Sequence, residues 1–243
     1  MNETNQPPQL PPQIPSAKPA PPQLGDDPAE REPIPGALGA IEAILRQPRR
    51  VMFQLRHPGA GGLIAKMLAA AVFLALIYGA IVGSFSGGDQ WWAAPVKVAG
   101  GLLVSALICL PSLYIFAGMS GSRAGLREII GLVAGLLLML TLLLVGFAPV
   151  AWLFSQSTES IMWMGFLHLV FCLIATAFAL RFMNAGFAQL QARSNAGFNT
   201  WVLIFLLVLL QMTAALRPLL GTSPDFLPVE KKFFLSHWID CMK

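Results

Sequence analysis

Four polar side chains interrupt the apolar runs of this sequence and could line a path for an ion or a proton. Ser112 and Tyr114 follow Pro111 in the stretch LICLPSLYIFAG, and His168 and Gln211 stand in two later apolar runs. Pro111 removes one helical hydrogen bond and should kink its helix, and polar groups inside membrane helices are often functional. The sequence therefore predicts either a polar cavity at the Pro111 kink or a bent helix whose polar groups satisfy one another.

Residues that could support catalysis are missing from these apolar runs. The nearby acidic residues are Asp89, Glu128 and Glu159, and all three lie at or beyond the ends of the runs. There is no HExxH helix, no G-x-S-x-G elbow and no glycine-rich phosphate loop, and the three cysteines share no metal-binding spacing. We therefore predict a protein that is not an enzyme and that uses no metal or cofactor.

The composition indicates a membrane protein. Apolar residues make up 56% of the 243 residues and charged residues only 12%, about half the charged share of a soluble domain. A helix needs roughly 20 apolar residues to cross the hydrocarbon of a bilayer. Five runs meet this requirement, and none alternates with the period of two that a barrel strand would show: Met67–Phe85, Val98–Met119, Ile129–Phe154, Ile161–Leu180 and Gly197–Leu220. The predicted fold is all-α and polytopic, a bundle of five transmembrane helices.

The chain divides into four parts by composition. Residues 1–35 hold 11 of the 19 prolines, and such a segment should form an extended, disordered tail because it cannot bury enough apolar surface. Its P-x-x-P fragments are weak candidates for docking to an aromatic groove. Residues 36–62 are basic and amphipathic, residues 63–220 form the transmembrane domain, and residues 221–243 form a short carboxyl-terminal tail.

The segment 36–62 has the pattern of a helix that lies on a membrane surface. Leu38, Ile41 and Leu45 recur at helical spacing, and Pro48 starts a second short helix. Four arginines accompany these helices and should contact anionic lipid headgroups: Arg46, Arg49, Arg50 and Arg56. The alternative is an ordinary basic flank that precedes a first span.

The distribution of positive charge predicts the orientation. Eleven of the 16 lysines and arginines lie on the amino-terminal side of the five spans and five on the other side, where Lys97 is placed in the first loop. Because positive flanks stay in the cytoplasm, the amino terminus should be cytoplasmic and the carboxyl terminus outside. Tryptophans favour the membrane interface, and four fall at predicted interfaces: Trp91, Trp92, Trp152 and Trp201.

Small residues recur four apart along several spans. Such pairs let helix backbones approach closely inside lipid, so they predict tight packing within the bundle, with a homo-oligomeric contact as the alternative. The pairs are Gly79 and Gly83, Gly101 and Ser105, Gly131 and Gly135, and Ala175 and Ala179.

The layout of the chain resembles that of bacterial Yip1-domain proteins, which are small five-span membrane proteins. The resemblance covers roughly residues 36–220 and rests on the proline-rich tail, the block ILRQPRRVMFQL and the five spans. Eukaryotic members of that family act in vesicle traffic and bind prenylated small GTPases. Of their acidic-Leu-Tyr-Gly-Pro motif this chain has only Leu113-Tyr114, followed by Ile115-Phe116.

Two functional hypotheses follow from the sequence. The first is a non-enzymatic integral membrane scaffold or adaptor that recruits a cytoplasmic or membrane protein through its amino-terminal region. The second is a small transporter or channel whose path passes the Pro111 kink. Both place the chain in a lipid bilayer, most simply a bacterial cytoplasmic membrane. Neither involves nucleic acid, because the net charge of +4 comes mainly from the cytoplasmic flanks.

Overall fold

A computed structural model describes residues 23–86, 88, 90–122, 124–158, 160–190 and 196–215. Within these ranges the chain forms eight helices and no strand, so the predicted all-α class is confirmed. Three short helices come first: α1 (Pro28–Arg31), α2 (Gly36–Arg46) and α3 (Pro48–Leu55). Five long helices follow: α4 (Ala60–Ser86), α5 (Gln90–Met119), α6 (Leu126–Ser157), α7 (Ile161–Gln189) and α8 (Ala196–Ala215).

The five long helices are each long and apolar enough to cross a membrane. The chain is therefore an integral membrane protein with five candidate spans, as the sequence predicted. The helices α4 to α7 are longer than the predicted spans because helical hydrogen bonding continues past the hydrocarbon into the headgroup region. One consequence is a correction: Lys97, which was assigned to a loop, lies inside α5 and is buried. Residues 216–220, the end of the last predicted span, lie outside the described residues.

The spans pack around a central pair, α4 and α6. The helix α5 packs mainly against α4, α7 packs against α6, and α8 packs against α5. Two thirds of the most apolar part of α6 is buried, against about a fifth of that part of α8. The helix α6 is therefore the core of the bundle, and α8 is a peripheral helix that presents much of its surface to lipid.

One close approach fixes the contact between α4 and α5. A Cβ atom on Gly79 would lie 2.4 Å from the Cα atom of Pro95 and 3.1 Å from the carbonyl oxygen of Ala94. Only a glycine allows two helix backbones to meet at this distance. The small residue at position 79 therefore has the packing role that its spacing predicted.

Two helix connections meet on the side of the bundle from which the first span starts, hereafter the amino-terminal side. The hydroxyl of Ser122, after α5, donates to the carbonyl of Leu190 at the end of α7. The guanidinium of Arg127, at the start of α6, donates to the carbonyl of Pro58 between α3 and α4. The first bond joins two connections of the bundle to each other, and the second joins the bundle to the segment that precedes it.

Candidate functional site

The amino-terminal platform, defined here as residues 23–57 with helices α1 to α3, stands on the amino-terminal side of the bundle. Its buried face packs directly against the long helices of the bundle. The methyl groups of Leu55 lie over Gly131 of α6, and the Cδ1 atom of Ile44 lies over Gly135 together with the ring of Phe182. The prediction for Gly131 and Gly135 was close packing between spans. The structure places Leu55 of the platform over Gly131, and both Ile44 of the platform and Phe182 of α7 over Gly135.

Local sequence explains where the platform helices begin. The carboxylate of Asp27 accepts a hydrogen bond from the Ala29 backbone N–H and caps α1, and Pro28 occupies the first position of that helix. Pro48 begins α3 in the same manner, since proline has no N–H to lose at a helix start. The starts of α1 and α3 are therefore set locally, and packing on the bundle holds the platform helices in place.

Charged side chains tie residues 23–33 to α3. The carboxylate of Glu30, which is 5% exposed, accepts hydrogen bonds from the Gly25 backbone N–H and from Nε of Arg49. Arg50 donates to the backbone carbonyls of Glu32 and Pro33 at 3.0 and 3.1 Å. The sequence predicted an extended tail as far as residue 35, whereas residues 23–35 pack on α3. Residues 1–22 lie outside the described residues.

The four arginines predicted at the lipid interface have different surroundings. Arg49 and Arg50 hold the platform together, as described above. Arg46 lies 3.4 Å from Glu42 one turn earlier on α2, with both side chains exposed. Arg56, at the end of α3, is exposed. Arg49 and Arg50 therefore donate hydrogen bonds to other platform residues, whereas the side chains of Arg46 and Arg56 are exposed.

The helix α2 has two apolar faces rather than one. Ala40, Ala43 and Ile44 are buried against the bundle, whereas Leu38 is 82% exposed and Leu45 is 50% exposed. Only the face with Leu38 and Leu45 matches the predicted lipid-facing stripe. A helix placed between the bundle and the surrounding lipid would need two such faces.

The residues of the predicted polar cavity do not come together. Tyr114 is five residues from the amino-terminal-side end of α5, about 8 Å along the axis, and its side chain is 45% exposed. His168 is seven residues from the far-side end of α7, and Gln211 lies near the far-side end of α8. Ser112 and Tyr114 are therefore in one half of the bundle, and His168 and Gln211 are in the other.

The turn around Pro111 stays helical and is stabilised by polar side chains. The hydroxyl of Ser112 donates to the carbonyl of Cys109 at 2.8 Å, and the indole N–H of Trp201 on α8 donates to the same carbonyl at 2.8 Å. Trp201, which was predicted to lie at a membrane interface, is 1% exposed and stacks on Phe205 inside the protein. Trp91, Trp92 and Trp152, which were predicted to lie at the same interfaces, are exposed.

A buried pair of polar side chains lies in the far half of the bundle. The hydroxyl of Tyr78 on α4 is 2.7 Å from Nδ1 of His168, and the two rings meet edge to face. The other imidazole nitrogen, Nε2, is buried without a hydrogen-bond partner. Lys97 is buried at nearly the same depth as Tyr78, since Gly79 opposes Pro95. Sequence reasoning missed Tyr78 because no spacing rule links one tyrosine to a histidine 90 residues away.

Metal-binding clusters are absent from the part of the chain that the structure describes. No group of three or more histidine, cysteine, aspartate or glutamate side chains there could hold a metal ion. No protein-family model, curated protein or solved structure matches the chain.

The ion pair between Glu30 and Arg49 should control the order of residues 23–33. Replacing Glu30 with alanine removes the acceptor for both Arg49 and the Gly25 backbone N–H. Breaking a buried pair costs up to about 3–5 kcal/mol, but Arg49 is 38% exposed, so we expect about 1–2 kcal/mol after solvent screening. Cleavage by trypsin after Arg31 should then become about 5- to 30-fold faster.

The Glu42–Arg46 pair provides the matched control. It is also a glutamate–arginine pair of the platform, but both side chains are more than two thirds exposed. Glu42→Ala should leave the cleavage rate after Arg31 unchanged. Equal acceleration by both substitutions would show that the Glu30–Arg49 pair does not hold this segment.

Proposed function

We propose that this protein is a non-enzymatic integral membrane scaffold or adaptor whose amino-terminal platform recruits a protein partner. The observation that carries the proposal is the position of the platform, which is fixed to the bundle by buried residues such as Ile44 and Leu55. Its outer surface carries charged groups that include Glu42 and Arg46. A rigid, charged surface on a membrane anchor is the feature that an adaptor needs, because less entropy is lost when the partner binds.

The interior of the bundle also supports this proposal. Its buried residues are mainly leucine, alanine and phenylalanine, and the central helix α6 has Thr141 as its one buried hydroxyl among the described residues. The Thr141 hydroxyl donates to the carbonyl of Leu137 one turn earlier. A bundle with this interior serves as an anchor rather than as a polar pathway.

Orientation and family belong to the same proposal. With the amino terminus in the cytoplasm of a bacterium, the platform would face soluble partners, and the carboxyl terminus would lie outside. Lys97 lies inside α5 and not in the far-side loop, so it no longer counts among the positive charges of that side. The excess of lysine and arginine on the amino-terminal side is therefore larger than the sequence alone indicated. Five spans preceded by a basic helical segment also fit the proposed kinship with bacterial Yip1-domain proteins.

Copurification with short deletions tests the adaptor proposal. Removal of residues 1–58 would strip Ile44 and Leu55 from the bundle core. Two smaller changes are therefore compared with the wild type: a deletion of residues 1–22 and, separately, the substitution Glu30→Ala. We expect one companion protein to copurify in a fixed ratio from native membranes in mild detergent and to cross-link to residues 23–57. At least one of the two variants should lose it while keeping the circular dichroism spectrum of the wild type.

Two results would contradict the adaptor. One is a companion that both variants retain, and the other is a wild-type protein purified without any companion. A symmetric homomer without a second protein would instead favour the transporter or channel that the sequence also allowed. For that second candidate the buried Tyr78–His168 pair is a better starting point than Pro111, because an unpartnered polar atom in a membrane span is unusual.

A further inference from the structure

The platform reaches down the side of the core helix α6. Residues 131–138 of α6 are all buried, and because a helical turn has 3.6 residues, α6 is covered on every side over this length. The platform provides part of this cover, since Leu55 of α3 lies over Gly131 and Ile44 of α2 lies over Gly135. The contact through Ile44 is the deeper of the two.

The level of this contact places α2 at the boundary between lipid headgroups and hydrocarbon. The helix α6 has 32 residues and is about 48 Å long, which exceeds the hydrocarbon thickness of about 30 Å by roughly 9 Å at each end. Gly135 is nine residues from the start of α6, or about 13 Å along its axis, and lies within the hydrocarbon. A helix with its side chains has a radius of about 5–6 Å, so the axis of α2 lies no more than about 6 Å above Gly135.

The residues of α2 fall into three arcs around its axis. Successive residues of a helix are about 100° apart, and Ala40 is at the centre of a buried arc that includes Ala43 and Ile44. An apolar arc lies at about 100–160° from Ala40, and its residues are exposed or half-buried: Leu38, Ile41 and Leu45. A charged arc with Glu42 and Arg46 lies at about 200–240° from Ala40.

These arcs match the three surroundings of a helix that lies beside a bundle at this level. Protein is on one side of such a helix, hydrocarbon is below it and water is above it. Leu38 is 82% exposed and Leu45 is 50% exposed, so the protein itself does not cover the apolar arc. Glu42 and Arg46 pair at 3.4 Å, and long charged side chains at this level reach the headgroups and water.

We propose that α2 is embedded in the leaflet on the amino-terminal side, with Leu38, Ile41 and Leu45 in contact with lipid acyl chains. Acyl chains fit the apolar arc because it borders hydrocarbon and has no polar group that would direct a protein partner. Embedding of α2 leaves α1, α3 and the charged arc for a partner in water. It does not depend on whether such a partner exists.

Thiol labelling of two variants in lipid nanodiscs tests the embedding. Leu38→Cys places a thiol in the apolar arc, and Glu42→Cys places one in the charged arc, one turn further along the same helix. Leu38 is 82% exposed and the Glu42 side chain 68% exposed on the protein, so neither substitution disturbs the packing. A charged, water-soluble maleimide reacts with the thiolate, and neither the reagent nor the thiolate enters hydrocarbon. In nanodiscs we expect Leu38→Cys to react at least about tenfold more slowly than Glu42→Cys.

Trypsin supplies the control for intrinsic reactivity. Cleavage after Arg31 and Arg46 releases residues 32–46 as one peptide, which contains both positions and none of the native cysteines. The two thiols should react at similar rates in the released peptides. Equal rates of the two variants in nanodiscs would overturn the embedding, because the apolar arc would then face water.

A lipid-borne photolabel identifies what protects Leu38. A phospholipid with an aryl diazirine in its acyl chain should label residues 32–46 of the wild type in nanodiscs. It should label the tryptic peptide 51–56 of α3 far less, since Val51, Met52 and Leu55 are at most 5% exposed. Slow reaction of Leu38→Cys without photolabel in residues 32–46 would overturn the acyl chains as the contact, in favour of a second copy of this chain. The purified protein contains no companion, so a failed copurification leaves these outcomes unchanged.

Discussion

Replacing Trp201 with alanine will lower the free energy of unfolding by about 2–4 kcal/mol. In soluble cores such a truncation costs about 3–5 kcal/mol, and the cost should be lower here because lipid is as apolar as the bundle interior. The remaining loss comes from the cavity and from the hydrogen bond to the carbonyl of Cys109. Unfolding by SDS in mixed micelles, followed by circular dichroism, measures this change.

Two further variants separate the contributions at Trp201. Trp201→Phe keeps an aromatic ring but removes the indole N–H, and it should cost about 1 kcal/mol, the usual net value of one hydrogen bond. Trp152→Ala removes an indole that is 54% exposed and should change the free energy of unfolding by less than about 0.5 kcal/mol. A loss at Trp152 as large as the loss at Trp201 would show that Trp201 has no special role in the bundle.

The number and type of the long helices were predictable from sequence because lipid imposes a length and a composition on each span. The ends of those helices were not predictable, since a helix continues into the headgroup region wherever its polar residues allow. Lys97 illustrates the difference. This lysine stands between two apolar runs, a position typical of a loop residue, yet α5 begins seven residues earlier and the lysine is buried.

Contacts between distant segments decide the candidate sites, and the sequence holds little information about them. The arginine block was recognisable as basic, but the role of Arg49 depends on where Glu30 lies. In the same way, the interfacial position predicted for Trp201 follows from residue type alone. Its burial accompanies a hydrogen bond to the carbonyl of Cys109, which only the packing of α8 on α5 brings within reach.

Replacing Gly79 with alanine will separate α4 from α5 and lower the free energy of unfolding by about 1–3 kcal/mol, the usual cost of overpacking. The new methyl group would lie 2.4 Å from the Cα atom and 2.9 Å from the backbone nitrogen of Pro95. Backbone atoms of a helix cannot turn away as a side chain can, so the helices must move apart. Alanine gains up to about 1 kcal/mol in helix propensity over glycine, which opposes the loss but does not remove it.

Gly100→Ala isolates the effect of the close approach. Gly100 is also a helical glycine, on α5, but a Cβ atom there would meet nothing within 4 Å. This control gains the same helix propensity without a clash, so its free energy of unfolding by SDS should stay equal to that of the wild type or rise slightly. Because Tyr78 adjoins Gly79, the Gly79→Ala variant should also disturb the hydrogen bond to His168, visible as a change in the NMR signals of the His168 imidazole that Gly100→Ala does not cause. Equal stability of the two variants would mean that α4 and α5 are not held at the backbone distance described above.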